Sequence, residues 1–180
     1  SNKFKGAVFI ILGVLFFALM YSAVKYLVDI PLMQKVFYRN FITFIIASII
    51  IVRNRQSFKA KCISIIALRS IFGYLGLIFN FYAISHLLLA DASILQNTNP
   101  FYIILFSIVF LREPFKKHFI ITLILAFVGA ILVIKPQFNY SVLPSIAGLG
   151  AGMFSGAAYC TVKYLTGKEE PETIIFYFTG

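Results

Sequence analysis

The chain contains no tryptophan and only two cysteines, two histidines and six acidic residues among 180. Cys62 and Cys160 lie far apart, at the edge of or inside apolar runs, and support neither a disulfide framework nor a metal site. His86 and His118 fall at the ends of apolar runs, and neither belongs to a carboxylate motif. HExxH helices, nucleophile elbows, phosphate loops and Cys/His clusters are absent, so the sequence predicts no enzyme activity, no metal and no cofactor. Charged residues make up only 12% of the chain, too few to cover a soluble domain of this size. No acidic residue is placed mid-membrane in the first six apolar runs, which gives no support for proton coupling. No initiator Met or cleavable signal pattern opens the chain, and Tyr177-Phe178-Thr179-Gly180 ends it inside a new apolar run. It therefore reads as a fragment of a longer protein.

What is present is hydrophobic surface. Apolar residues make up 61% of the chain, and the mean hydropathy is +0.93. This composition belongs to an integral membrane protein, with the bilayer as its first partner. The 21 Phe and 10 Tyr read mostly as lipid contact and interfacial belt. The net charge of +10 sits in short clusters between apolar runs, where topology and anionic lipid account for it, and no nucleic-acid partner is expected.

The apolar runs define the spans, each needing about 20 mainly apolar residues. Gly6 to Leu27 is the first and Val36 to Val52 the second, followed by a loop with Arg53, Arg55, Lys59 and Lys61. Cys62 to about Ser85 is the third. His86 to Asp91 turns into the fourth, which runs to Leu111. Arg112-Glu113-Pro114 with Lys116 and Lys117 precedes the fifth span, Phe119 to Ile134, which Lys135-Pro136 ends. A polar loop from Gln137 to Ser145 leads to the sixth span, ending at Leu165, and a seventh begins at Glu172. Counting Lys and Arg places the N-terminus, with Lys3 and Lys5, and the 2–3 and 4–5 loops in the cytoplasm. Lys25, Lys35 and Arg39 depart mildly from that pattern on the outer side.

One stretch recurs. Tyr21-Ser22-Ala23-Val24-Lys25-Tyr26-Leu27 returns 138 residues later as Tyr159-Cys160-Thr161-Val162-Lys163-Tyr164-Leu165, identical at five of seven positions. Each copy closes an apolar run and precedes a proline (Pro31, Pro171) and then a Phe-Tyr pair (Phe37-Tyr38, Phe176-Tyr177), with one residue of slippage. Residues 1–138 then form one five-span unit and 139–180 the start of a second. Five is odd, so the second unit enters from the opposite side, an inverted repeat of the kind that builds alternating access around a central site.

Polar residues cluster at the start of span four: Asp91, Ser93, Gln96, Asn97, Thr98 and Asn99, then Pro100. Polar groups are costly against lipid and should face the bundle interior or a watery cavity. Pro100 breaks the helix and frees carbonyls that could line a site; the plainer reading is a kink, with Asn and Gln bonding neighbouring helices. Gln96, Asn97 and Asn99 are the better site candidates, and Asp91 is expected to cap its helix. Lys25 and Lys163 would contact an anionic substrate group or, as favoured, snorkel to the interface, with Asp29 spaced to pair with Lys25. Arg69, roughly 10 Å into span three, is expected to reach cytoplasmic headgroups, and Arg39 remains open between the two roles. Gly73, Gly76 and Asn80 share a face of span three. Gly148, Gly152, Gly156 and Cys160 recur every four residues on span six, a close-packing signal. Asn80 and Tyr82 either reach a cavity or bond between helices.

Several segments together resemble the EamA-type permeases of the drug/metabolite transporter superfamily. They are Phe81-Tyr82-Ala83-Ile84, Leu89-Ala90-Asp91-Ala92-Ser93-Ile94, Asn99-Pro100-Phe101, Leu111-Arg112-Glu113-Pro114 and Gly129-Ala130. Lys25 after an aromatic-rich span end and Arg39 early in span two also fit. The resemblance covers nearly the whole chain. It implies an all-α membrane protein of ten helices in two inverted five-helix repeats, moving small metabolites across a bacterial inner membrane. Where many members carry a Trp in span one this chain has none, and Phe17 or Tyr21 takes that place. Members carry amino acids, S-adenosylmethionine, sugars and organic cations, and the shared motifs do not name the cargo.

The expectation is a secondary transporter whose small-molecule substrate meets Tyr21, Asn80, Gln96, Asn97, Asn99 and Tyr159, with the missing C-terminal repeat as the other half of the site. One alternative is a non-transporting subunit or assembly factor whose helices exist for packing. Another is a homodimer that rebuilds the bundle from a complete small protein.

Overall fold

The computed structural model describes residues 2–112, 117–134 and 142–180. Glu113, Pro114, Lys116, Lys135, Pro136 and the stretch 137–141 lie outside the described residues. Eight helices are described: α1 (Asn2–Tyr26), α2 (Leu32–Arg53), α3 (Ile63–His86), α4 (Leu89–Gln96), α5 (Asn99–Leu111), α6 (Lys117–Ile134), α7 (Val142–Leu165) and α8 (Pro171–Thr179). Five segments are long and apolar enough to span a bilayer: Gly6–Tyr26, Leu32–Arg53, Ile63–His86, Leu89–Leu111 and Val142–Leu165. Together they make this a multi-pass helical membrane protein. Their outward residues, such as Phe9, Phe16, Ile49 and Val109, are exposed and apolar, as a lipid-facing surface requires.

Inside lipid, helices gain little from burying leucine against leucine, so association depends on how closely backbones approach. The α7 stripe meets that need on one side. Gly148 leaves room for Leu95, Gly152 for Thr98 Oγ1 and the Leu95 carbonyl, and Gly156 for Tyr102 and the Asn99 carbonyl. A Cβ at Gly156 would stand 2.6 Å from Tyr102 Cβ and 3.1 Å from the Asn99 oxygen. On its other side α7 packs along α3, the most extensive helix pair in the bundle. There Gly76 admits Ser155, and the Phe79 and Phe154 rings stack with centroids 5.5 Å apart. Both α3 and α7 are thus committed on two faces, and the other helices arrange around them.

The fourth span is broken rather than kinked. Helix α4 stops at Gln96, Asn97 and Thr98 turn, and α5 restarts with Pro100 in its first turn. That place has no intrahelical partner for an N–H, so proline removes no bond there. Two carbonyls at the break are turned to α7. The Leu95 oxygen accepts from Thr98 Oγ1 at 2.6 Å and, with the Asn99 oxygen, faces the α7 glycines.

Side chains tie the two ends of the bundle. At one end the basic loop 54–62 meets the start of α8. Gln56 Nε2 donates to Glu172 Oε2 at 3.4 Å, Thr173 Oγ1 to the Ser57 carbonyl at 3.4 Å, and the Tyr177 hydroxyl to the Phe58 carbonyl at 3.1 Å. The Cys62 N–H donates to Glu169. At the opposite end Lys25 Nζ donates to the Leu87 carbonyl at 2.6 Å. Lys35 Nζ, buried, donates to the Val24 carbonyl at 3.1 Å, one of the orphan acceptors in the last turn of α1. Lys25 therefore forms no helical ion pair with Asp29: α1 ends at Tyr26, and Asp29 lies in the turn beyond.

The packing predicts that Gly152→Leu lowers the thermal unfolding midpoint of the detergent-solubilised protein. The cost should be about 1–3 kcal/mol, the usual range for forcing carbons into a filled contact. Gly13→Leu, where a Cβ meets nothing within 4 Å, should leave the midpoint unchanged.

Candidate functional site

A small polar cavity lies where α1, α2, α3, α4, α7 and α8 converge. Its volume is about 120 Å3. Helix α3 supplies its floor, because Arg69, Gly73, Gly76 and Asn80 recur at helical spacing on one face. Phe17 and Tyr21, one turn apart on α1, close one side with ring centroids 6.2 Å apart. Arg39 enters from α2, Gln96 from the last residue of α4, Ser155 and Tyr159 from α7, and Phe178 from α8.

The charged members are held without carboxylates. Arg69 runs along its helix toward Gly73, over which its Nη1 lies; any Cβ there would collide with it. Its guanidinium carbon stands 4.3 Å from the centroid of the Phe178 ring, and that of Arg39 stands 5.7 Å from the same ring. Arg39 Nη1 also donates to Asn40 Oδ1 at 2.9 Å. The Nε and Nη1 of Arg69 are buried with no hydrogen-bond partner. Gln96 Nε2 donates to Ser155 Oγ at 3.2 Å, while its Oε1 is buried without a partner. Leaving such groups unmatched is costly in a low-dielectric interior, and polar or ionised side chains at membrane depth mark functional sites.

The cavity is not sealed. Arg69 and Tyr159 also line a larger open vestibule of about 680 Å3 at the end that carries loop 54–62, whose wall includes Lys59, Lys61 and Lys168 and also Glu169 and Glu170. The cavity and the vestibule therefore adjoin across these two side chains, and Tyr159 is 53% exposed.

Of the site candidates read from the sequence, Tyr21, Arg39, Asn80, Gln96 and Tyr159 come together here. The others do not. Asn97 is an exposed residue in the turn after α4, and Asn99 turns its backbone to the α7 glycines. Lys25 and the exposed Lys163 lie outside the cavity lining, as does Pro100. Tyr82 packs on His86, with ring centroids 4.2 Å apart, instead of reaching the cavity. Asp91 is no helix cap: the cap position is Leu88, and Asp91 sits inside the first turn of α4, 3% exposed, with both carboxylate oxygens lacking a partner. Arg69 extends along α3 toward Gly73, with its Nε and Nη1 buried, while the residue also lines the vestibule. The sequence signal for that placement is a glycine four residues after an intramembrane arginine. Ser155 and Phe178 were missed.

Several apolar spans packed around a small cavity that adjoins a vestibule define a polytopic membrane protein. The chain belongs to the EamA-like transporter family, whose profile matches residues 4–135. It is 30% identical over 176 residues to the pseudopaline exporter CntI of Pseudomonas aeruginosa, covering 96% of this chain and 62% of that protein. An uncharacterized transporter of Helicobacter pylori is 29% identical over 179 residues, covering 96% of this chain and 60% of the relative. A riboflavin transporter of Brucella anthropi is 34% identical over 100 residues, covering 53% of this chain and 34% of that protein. The chain thus spans about 60% of the length of the first two relatives. No solved structure matches significantly.

The vestibule predicts water access to Tyr159. With Cys62 and Cys160 replaced by serine, Tyr159→Cys should react with a membrane-impermeant thiol reagent applied to the face bearing loop 54–62. Ile84→Cys, 2% exposed in the native chain, should remain unlabelled. Labelling is read by mass shift.

Proposed function

We propose that this chain is the larger part of a secondary transporter moving small metabolites across the bacterial inner membrane by alternating access. Amino acids, S-adenosylmethionine and related organic solutes are the cargo class. The names of the relatives, an exporter and a riboflavin transporter, support transport without naming this chain's substrate.

The observation that carries the reading is the pairing of repeat-related residues across one cavity. Tyr21 and Tyr159 hold equivalent places in the recurring stretch, and both line it. Arg39 and Phe178 each follow the recurring Phe-Tyr pair, and they meet at 5.7 Å. Equivalent residues of two inverted units converging on one point is the arrangement expected where units rock about a central site. Residues 1–138 are then the first five-helix unit and 139–180 the start of the second, in a protein of ten helices. The basic loop 54–62 marks the cytoplasmic face, with the N-terminus on the same side. The vestibule then opens inward.

The test is solute flux by the full-length protein in proteoliposomes, screened with labelled amino acids and S-adenosylmethionine. Asn80→Ala and Gln96→Ala should each lower saturable flux by about tenfold, the loss expected for one well-placed hydrogen bond. Asn97→Ala, exposed beyond α4, should stay within about twofold of wild type. Flux equally reduced by Asn97→Ala, or a protein that moves no solute in either direction, would overturn the reading and favour a packing subunit.

A further inference from the structure

We propose that the cavity is an anion site: it takes a carboxylate-bearing organic solute by gripping the carboxylate between Arg39 and Arg69. The inference rests on the cavity being the transport site and adds the chemistry of its cargo. Two guanidinium groups approach the same Phe178 ring, at 4.3 and 5.7 Å, from two different helices. None of the described acidic residues (Asp29, Asp91, Glu169, Glu170 and Glu172) is among the cavity-lining side chains. Among the described residues, then, no carboxylate neutralises this pair. Like charges held close at low dielectric repel, and an anion placed between them converts repulsion into attraction.

Donors are also left without acceptors beside the cavity. Arg69 Nε and Nη1, two edges of its planar fork, are buried without an acceptor. Nε–H and Nη1–H point to different sides of the guanidinium; each shares an edge with Nη2, and a carboxylate matches either edge with two parallel bonds, a geometry a lysine ammonium could not offer. Gly73 makes the placement: with no Cβ there, the Arg69 side chain extends along α3 toward mid-span instead of back to its own end. Its guanidinium then lies near residue 73, about 15 Å from the start of α3 and so near the middle of a 30 Å hydrocarbon core. The side chains of Asn80 and Gln96 and the hydroxyl of Tyr21 can meet neutral polar atoms on the rest of the solute. Organic cations are disfavoured by the same two charges that recruit anions. Neutral sugars leave the guanidinium donors without a charged partner.

The experiment uses the detergent-solubilised full-length protein and reads the shift in unfolding midpoint with millimolar succinate, citrate, glutamate, succinamide, choline or glycerol 3-phosphate at matched ionic strength. At least one carboxylate should raise the midpoint by about 3 °C or more, as a ligand well above its dissociation constant does. Succinamide and choline should not. Arg39→Gln with Arg69→Gln should abolish the shift, and Arg69→Lys should reduce it. Gly73→Ala keeps both charges but displaces the fork, and should also lose the shift. It serves as the second variant should the double substitution not fold, as judged by gel filtration. Stabilisation by choline or succinamide, by glycerol 3-phosphate alone, or by no carboxylate would overturn the proposal. Flux distinguishes this failure from that of transport itself. A cation or sugar moved equally by wild type and the double variant leaves the transporter standing and removes the anion site. Carboxylate binding without flux of any solute does the reverse.

Discussion

The close approach of α7 to its neighbours is the contact on which the rest of this bundle depends. Lipid removes the ordinary hydrophobic incentive for helices to associate, so attraction comes from dispersion across short backbone distances and from satisfied polar groups. Gly148, Gly152 and Gly156 bring α4 and α5 against one side of α7, and Gly76 brings α3 against another. Everything else is placed by that framework. The short α4 owes its stop to the turn at Asn97 and Thr98, and that turn is held against the glycine stripe. The stop leaves Gln96 as the last α4 residue, directed into the cavity.

Glycine plays a second and different role at Gly73. There it does not bring helices together; it makes room for a charged side chain. Arginine within a span commonly runs to the nearest interface. Here the path along α3 is free past Gly73, Phe178 supplies a ring face, and the guanidinium settles inside. One missing Cβ thus lets the guanidinium lie along α3 beside the cavity. The two lysines at the opposite end show the contrasting solution. Lys25 and Lys35 satisfy helix-end carbonyls of Leu87 and Val24 and are used up as structural donors.

Much of this was legible in the residues. The apolar runs located the spans to within a few positions, because lipid demands length and hydrophobicity from every spanning helix. The four-residue glycine interval located the packing face of α7. Tyr21 and Tyr159 stand out in the sequence through their repeat, Gln96 through the cost of polar groups at depth and Asn80 through the face it shares with Gly73 and Gly76, and the structure places all four at one cavity. What misled was treating the polar run at span four as continuous. The break after Gln96 rotates Asn97 outward and turns Asn99 to α7, so neighbours in sequence part company in space. Asp91 was misread for a related reason: the helix starts at Leu89, so the carboxylate falls inside the first turn and not before it.

The sequence by itself determined that this is a helical membrane protein, where its spans run, and that its two unequal portions share a pattern. Those properties follow from local composition and spacing, which the bilayer reads directly. Only the tertiary structure decided which polar side chains meet. Arg39 and Arg69 are thirty residues apart and on different helices, and nothing in either helix alone requires them to share the Phe178 ring. They share it because the crossing of α2, α3 and α8 sets which faces meet, and that crossing is a property of packed surfaces, not of any single segment.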